Sequence, residues 1–400
     1  MKFIFAVLAI DALGFGLVAP ILPRLVQHLT GLAPNHAALW VGTLSMAFAG
    51  AQFFAAPVLG QLSDRFGRRP LILISLAGSA ANYLLLAFAP SIGLLFLGRL
   101  LAGATAGNVS AASAYIADIT PPEQRAQRFG MMGAAFGFGF MIGPVVGGFL
   151  GSIDLRLPFL AAAALVAVNV IYGTFVLPES LPVDRRRALR LRDATPLGAM
   201  RLFLSVPRLW RLAAAWCTRW FGIGCLQAVV VLFSELRFHW GPEQNGVFFA
   251  VIGVSSSVVQ LFLVKPAVRL FGERGAALIG FSFNALGFVL IGISPYPYFM
   301  YLGVVLVALG SIGNSAIRAI LSRAVPADQQ GRMNGALSSA EGLTAIIAPL
   351  TGAAVFDAFS RAVPWHFPGA PFILAALLIA GATVLVASWR PATERDNGLG

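Results

Sequence analysis

Gly60-Gln-Leu-Ser-Asp64-Arg65-Phe-Gly67-Arg68-Arg69-Pro70 is a short basic turn set between two long apolar runs. Its glycines permit a tight reversal of the chain. Just beyond it, Leu71 to Ala89 carries no charge, and Phe372 to Trp389 near the other end of the chain repeats the pattern. Each run approaches the ~20 residues that a helix needs to cross a hydrocarbon core. Helix is the natural form there, because each backbone group in lipid must find its partner within the segment.

Composition extends this reading to the whole chain. Of its 400 residues 58% are apolar and 11% charged, where a soluble domain carries roughly 25% charged residues. The net charge of +12 would suit a nucleic-acid partner in a soluble protein. Here the basic residues fall in short loops between apolar runs, as the positive-inside rule expects, so no nucleic-acid partner is expected. Cys217 and Cys225 lie in one apolar segment, without metal-type spacing, and read as packing residues. Lys2 followed by an apolar run resembles a signal peptide, but Asp11 interrupts the run and Pro20 and Pro23 follow, which fits a first spanning helix better.

Hydropathy and breakers predict helices over 3–26, 38–61, 70–89, 92–117, 126–151 and 157–178, then 208–235, 243–266, 275–294, 296–322, 330–357 and 368–389. The expected fold is an all-α membrane protein of twelve transmembrane helices in two six-helix halves, 1–178 and 208–400. Residues 179–207 form the linker, holding Arg185, Arg186, Arg187, Arg190, Arg192 and Arg201 with Pro182 and Pro196. With the N-terminus inside, cytoplasmic loops hold Arg65, Arg68, Arg69, Arg125, Arg128, Lys265, Arg269, Arg274, Arg323 and Arg332. The outer loops hold Arg24, Arg156, Arg237 and Arg361. That asymmetry predicts cytoplasmic termini. Six helices, a basic linker and six more suggest a duplicated carrier with a solute site between the halves near the midplane.

Two patterns in the bilayer carry chemistry. Gly139, Gly143 and Gly147 recur every four residues around Pro144, with Gly148 adjoining. They line one face, where a second helix can approach closely, and Pro144 favours a bend. The second pattern is intramembrane charge, a functional hypothesis by default. Asp11 lies ~12 Å into the first helix. Desolvation disfavours its charged form, so it is a candidate to bind and release protons. Glu341 lies at a similar depth in the eleventh helix and Arg99 inside the fourth; the alternative for all three is an ion pair that only fixes packing. Arg219 and Arg318, nearer helix ends, read as snorkelling side chains, and Glu235 and Asp357 as solvated ones. Phe15, Gln52, Asn82, Asn108, Phe136, Gln227, Gln260, Asn284 and Asn314 are cavity candidates, with Phe48 and Trp220 as further aromatic walls. Together they describe a site for an amphipathic compound. No Ser/His/Asp set, metal cluster or phosphate loop appears, so no enzyme and no resident cofactor or metal is expected. His28, His36, His239 and His366 fall on predicted outer loops.

The turn Gly60 to Pro70 closely resembles the cytoplasmic signature of the major facilitator superfamily. The resemblance extends through helix number, linker position and a weaker echo at Lys265 to Arg274. It implies a gate of Gly60, Asp64, Arg65, Gly67, Arg68 and Arg69, completed by Asp118 and Arg125, that locks the cytoplasmic side when the carrier faces out. From spacing alone, a solvated basic loop fits the same turn. The stretch Gly139 to Gly148 resembles the fifth-helix signature of proton-coupled antiporters, and Arg99 the superfamily's fourth-helix arginine, linked to proton transfer. Asp11 to Pro23, Tyr83 to Phe88, Ala114 to Thr120 and Leu177 to Ser180 are similar to the tetracycline–proton antiporters. The resemblance implies a monomeric exporter in the bacterial inner membrane, driven by the proton gradient, whose substrate carries a divalent metal. Asn82, Asn284 and Ser256 depart from it, standing where that family places two aspartates and a histidine. Glu341 is an acid the family does not usually have there. These departures leave a multidrug or metabolite exporter as the alternative, with a non-transporting receptor or scaffold more remote.

Overall fold

The computed structural model describes residues 2–182, 184, 186, 209–323, 325, 330–361 and 366–389. Most of the predicted linker lies outside the described residues, as do Arg390 and Arg395. Among the described residues the secondary structure is helical. The first group is α1 (Lys2–Val18), α2 (Leu22–Thr30), α3 (Pro34–Phe66), α4 (Arg68–Phe88), α5 (Ile92–Thr105), α6 (Asn108–Asp118), α7 (Pro122–Ile153) and α8 (Leu157–Val176). The second is α9 (Trp210–Phe238), α10 (Pro242–Val258), a π-helical turn (Val259–Leu263), α11 (Val264–Ile293), α12 (Pro297–Leu309), α13 (Ser311–Arg323), α14 (Gln330–Arg361) and α15 (Ala370–Ala387).

Eleven helical stretches of the described chain are long and apolar enough to span a bilayer, and one of them, Pro242–Ile293, is 52 residues long. At 1.5 Å per residue that stretch measures about 78 Å, far beyond a core of about 30 Å. It turns at Gly272, whose φ of 67° and ψ of 171° are not helical. Residues 242–271 and 273–293 are therefore two crossings, which brings the total to the expected twelve. The outside of the bundle is apolar, with Phe175 84% and Leu270 77% exposed, the converse of a soluble surface.

Three predicted helices are broken in two. Pro20 ends α1, since it lacks an N–H and disfavours helix at the residue before it. Gly107 separates α5 from α6, and Gly310 separates α12 from α13. At Gly310 a Cβ would collide with the Asn284 side chain of α11.

The basic turn is built around Gly67, at φ 112°. A side chain there would be strained, and its Cβ would strike the Glu179 carboxylate. Glu179 lies just past α8 and accepts hydrogen bonds from the backbone N–H of Arg68 (2.9 Å) and Arg69 (3.3 Å). It thus caps α4, where an acid also suits the helix dipole.

The two groups meet along two seams, α3 with α14 and α7 with α10, with α9 adding a smaller contact to α3. Polar clasps between the halves lie at the end remote from the linker. Arg24 donates to the Trp240 carbonyl at 2.7 Å, and Gln27 donates to Glu235 at 2.8 Å. His36 lies 3.3 Å from Asp357, which also pairs with Arg361. Glu235 and Asp357 are thus interface groups and not the solvated side chains expected. Towards the linker end the packing loosens: a Cβ on Gly60, Gly130 or Gly133 would meet nothing within 4 Å.

Candidate functional site

Asp11 sits at mid-length in α1, half-buried, and its carboxylate accepts a hydrogen bond from the Asn108 side-chain amide. The break at Gly107 makes this possible, because Asn108 opens α6 and reaches across to α1. Tyr83 of α4 is buried and lies within electrostatic reach of both Asp11 and Arg99. Its ring packs on α1 where Gly14 has no side chain. Arg99 of α5 holds its guanidinium 5.3 Å from the centre of the Phe48 ring. With its amide turned to match its neighbours, Asn82 donates to the Gly98 carbonyl (3.0 Å) and accepts from Arg99 (3.2 Å). Asp11, Asn108, Tyr83, Arg99 and Asn82 therefore form one polar cluster within the first half. Among them only Asp11 is an acid.

Helix α1 is seated by the glycine face of α7. A Cβ at Gly139 would collide with Ala12 and Leu13, at Gly143 with Gly16, and at Gly147 with the backbone of Leu17. Pro144 remains inside a continuous α7. Gly148 points elsewhere: its Cβ would strike Pro242 and Gly246 of α10, across the seam. The single face expected of Gly139, Gly143 and Gly147 is thus the seat of α1, and Gly148 lies on a second face towards the other half.

Glu341 of α14 lies within electrostatic reach of Arg219 on α9 and Arg318 on α13. Next to it, Gly342 leaves room for the Phe53 ring of α3, across the second seam. Arg219 is 8% exposed, so it does not snorkel to water as its sequence position suggested. It lines a cavity with Gln227, Phe249, Ser256, Ser311 and, from the first half, Phe140. Phe15 is exposed beside it, its ring 5.5 Å from that of Phe140.

The remaining cavity candidates divide. Asn284 is fully buried and donates to the Val307 carbonyl, so it joins α11 to α12 and does not face a cavity. Gln227 and Gln260 are exposed, and Gln52, Phe136 and Asn314 half-buried. The Phe136 ring packs against the core, and the Asn314 side-chain oxygen is buried without a partner.

At the basic turn, Arg68 pairs with Asp64 (2.5 Å) and with Asp118 (3.0 Å). Arg125 donates to the Thr120 and Ala117 carbonyls, both at 3.2 Å, and not to Asp64. Arg69 donates to the Thr174 carbonyl of α8 at 2.5 Å. Both arginines thus answer carbonyls left open at helix C-termini. Arg65 lies over the Phe66 ring, and Gly60 borders open space. Among the described residues no three His, Cys, Asp or Glu side chains gather as a metal site.

Tyr83, Arg219 and Glu179 were not singled out from sequence as parts of a site. For Tyr83 and Glu179 the signal was their place inside the stretches Tyr83 to Phe88 and Leu177 to Ser180. For Arg219 it was an arginine flanked by tryptophans inside an apolar helix.

The sequence matches the family model of the Major Facilitator Superfamily over residues 4–270 and 257–399. The chain belongs to this superfamily. It is 39% identical to the tetracycline resistance protein, class C, of Escherichia coli over 382 residues, 94% of this chain and 93% of that one. It is 34% identical to the class G protein of Vibrio anguillarum, covering 93% of each. The crystal structure of the human organic anion transporter TETRAN matches with a TM-score of 0.71 at 26% identity, covering 96% of this chain and 98% of that one. The twelve helices in two halves are thus the superfamily's architecture, and the match runs through both halves.

Proposed function

We propose that the chain is a proton-coupled antiporter that exports a small amphipathic, tetracycline-like drug from the cytoplasm of a bacterium across its inner membrane. The observation that carries this reading is Asp11: a carboxylate at mid-membrane, held by Asn108 on the helix that the glycines of α7 seat. The tetracycline resistance proteins among its relatives support the substrate class.

In this reading the linker end is cytoplasmic, with both termini there, and the protein works as a monomer. Residues 1–178 and 208–400 rock against each other along the α3–α14 and α7–α10 seams, tethered by 179–207. The clasps at Glu235 and Asp357 close the outer end while drug enters from the cytoplasm. Gly60, Asp64, Arg65, Gly67, Arg68, Arg69, Asp118 and Arg125 form the opposing gate. Asp11 carries the proton, with Tyr83 and Arg99 adjusting its field and Glu341 as a second coupling group. One charge crossing 100 mV releases about 2.3 kcal/mol, enough for more than a tenfold drug gradient at about 1.4 kcal/mol per tenfold. No resident cofactor, nucleic acid or enzymatic step enters; a divalent metal, where present, arrives on the drug.

A second reading is a multidrug or metabolite exporter that does not handle tetracycline. Asn82 and Asn284 favour it, since neither can titrate and Asn284 is buried in helix packing.

The test is proton-driven tetracycline uptake into inverted vesicles, where Asp11→Asn should abolish transport. Full activity in that variant sinks the coupling assignment. A resistance panel in a susceptible bacterium separates the two readings, since protection against other drugs but not tetracycline selects the second.

A further inference from the structure

Arg219 is a buried charge without a salt bridge or hydrogen bond to a described residue. Its side chain is more than nine-tenths buried, its Nε has no hydrogen-bond partner, and it forms no ion pair with a described residue. Its guanidinium lies 5.7 Å from the Trp220 ring centre. An unpaired buried charge is costly. A lysine could escape by losing its proton, but a guanidinium remains charged in proteins.

The charges around it do not balance. Glu341 is the carboxylate within electrostatic reach, and it is shared between Arg219 and Arg318. Across the seam, Asp11 and Arg99 both lie within electrostatic reach of Tyr83. Asn82 and Asn284 add hydrogen bonding and no negative charge. The lining of the cavity itself carries one charged side chain, Arg219, and no carboxylate.

We infer that the cavity bounded by Arg219, Gln227, Phe249, Ser256, Ser311 and Phe140 binds the anionic group of an amphipathic aromatic ligand. Arg219 supplies the counter-charge, and its planar fork suits a carboxylate or enolate. Gln227, Ser256 and Ser311 offer hydrogen bonds, while Phe140 and Phe249 take the apolar body. The inference rests on the export reading for the direction of movement, and it names the exported form: a metal-free anion and not a metal-chelated cation. Ligand and Glu341 carboxylate then compete for one guanidinium.

The experiment uses full-length protein purified in detergent and equilibrium dialysis with two probes of one ring system and opposite charge, 1-naphthoate and 1-naphthylmethylammonium. Wild type should bind naphthoate at least tenfold more tightly than the ammonium. Arg219→Gln should weaken naphthoate at least tenfold and leave the ammonium no weaker. Glu341→Gln should tighten naphthoate severalfold, a gain that misfolding does not produce. The inference is overturned by absent naphthoate binding, by equal or tighter ammonium binding, by an Arg219→Gln protein of unchanged affinity, or by a Glu341→Gln protein that binds no tighter. A transport arm measures tetracycline uptake into inverted vesicles with EDTA or with excess magnesium. Uptake in EDTA that Arg219→Gln abolishes supports the anionic form, and uptake that requires magnesium overturns it. No uptake under either condition, with naphthoate binding intact, sinks the tetracycline export reading and leaves the anion site standing.

Discussion

Replacing Gly147 by alanine tests whether the glycine face of α7 positions the helix that carries Asp11. A Cβ built on Gly147 falls 2.8 Å from the Leu17 Cα and carbonyl carbon and closer still to the carbonyl oxygen. Ordinary carbon contacts lie at ~3.5 Å, so α1 and α7 must separate by roughly 0.7 Å or more. The obstacle is backbone, which cannot rotate away as a side chain would. Overpacking of this kind costs ~1–3 kcal/mol, or roughly five- to 150-fold in an equilibrium constant at ~1.4 kcal/mol per tenfold. The displacement falls on the helix that bears Asp11, so the Asp11–Asn108 hydrogen bond loosens with it. Gly133→Ala, on the same helix, is the control: its Cβ meets nothing within 4 Å, and alanine favours helix by about 1 kcal/mol. Gly147→Ala should lower the melting temperature in detergent and cut proton-driven uptake at least tenfold, while Gly133→Ala keeps both. Equal stability and uptake in the two variants would refute the reasoning.

Two further outcomes follow from contacts at opposite ends of the molecule. Glu179→Ala removes the acceptor for two backbone N–H groups of α4 and should cost about 1 kcal/mol, the usual worth of a cap. Glu179→Gln retains an acceptor and should recover part of that loss of melting temperature; identical melting in both variants would show that capping is not the role. Glu235→Ala removes the acceptor shared by Gln27 and Arg24. For partly exposed pairs that is worth roughly 1 kcal/mol, and it should raise the population opened at the clasped end about fivefold. Spin labels at Leu32 and Glu243, in a background without Cys217 and Cys225, read that opening as longer distances; an unchanged distribution would remove Glu235 from the gate.

Hydropathy placed the spans because lipid imposes one requirement on every segment. It could not place the breaks at Gly107 and Gly310, where neighbouring helices approach closely, and it ran one helix through Pro20 although proline itself ends α1 there. The turn at Gly67 was legible as a turn, but its chemistry was not. Glu179, over a hundred residues away in sequence, decides why a side chain is excluded there. Depth along a helix was likewise a poor guide to environment. Arg219 was placed near a helix end and expected to snorkel, yet rotation about the α9 axis turns it inward. Asn284, by contrast, sits deep and was expected in a cavity, and it instead bonds the carbonyl of a neighbouring helix. Asp11 was legible as a lone acid in an apolar run, but its partner Asn108, on a helix that starts after the break at Gly107, was not.

The helix that joins these observations is α7. Its glycines at 139, 143 and 147 hold α1, and through α1 they fix Asp11. Gly148, with the carbonyl of Pro144, holds Gly246 of α10 across the seam. Pro144 has no N–H to offer the carbonyl four residues back, that of Phe140. That carbonyl is the group Gly253 of α10 approaches, at 3.1 Å for a Cβ built there. One motif therefore seats the helix that carries Asp11 on one side and makes the contact with the other half on the other. Under the proposed coupling, a shift of α1 is passed to α10 because α7 is in contact with both. Close packing on both faces favours discrete arrangements over gradual deformation, and an antiporter requires such discreteness to keep proton and drug from leaking separately.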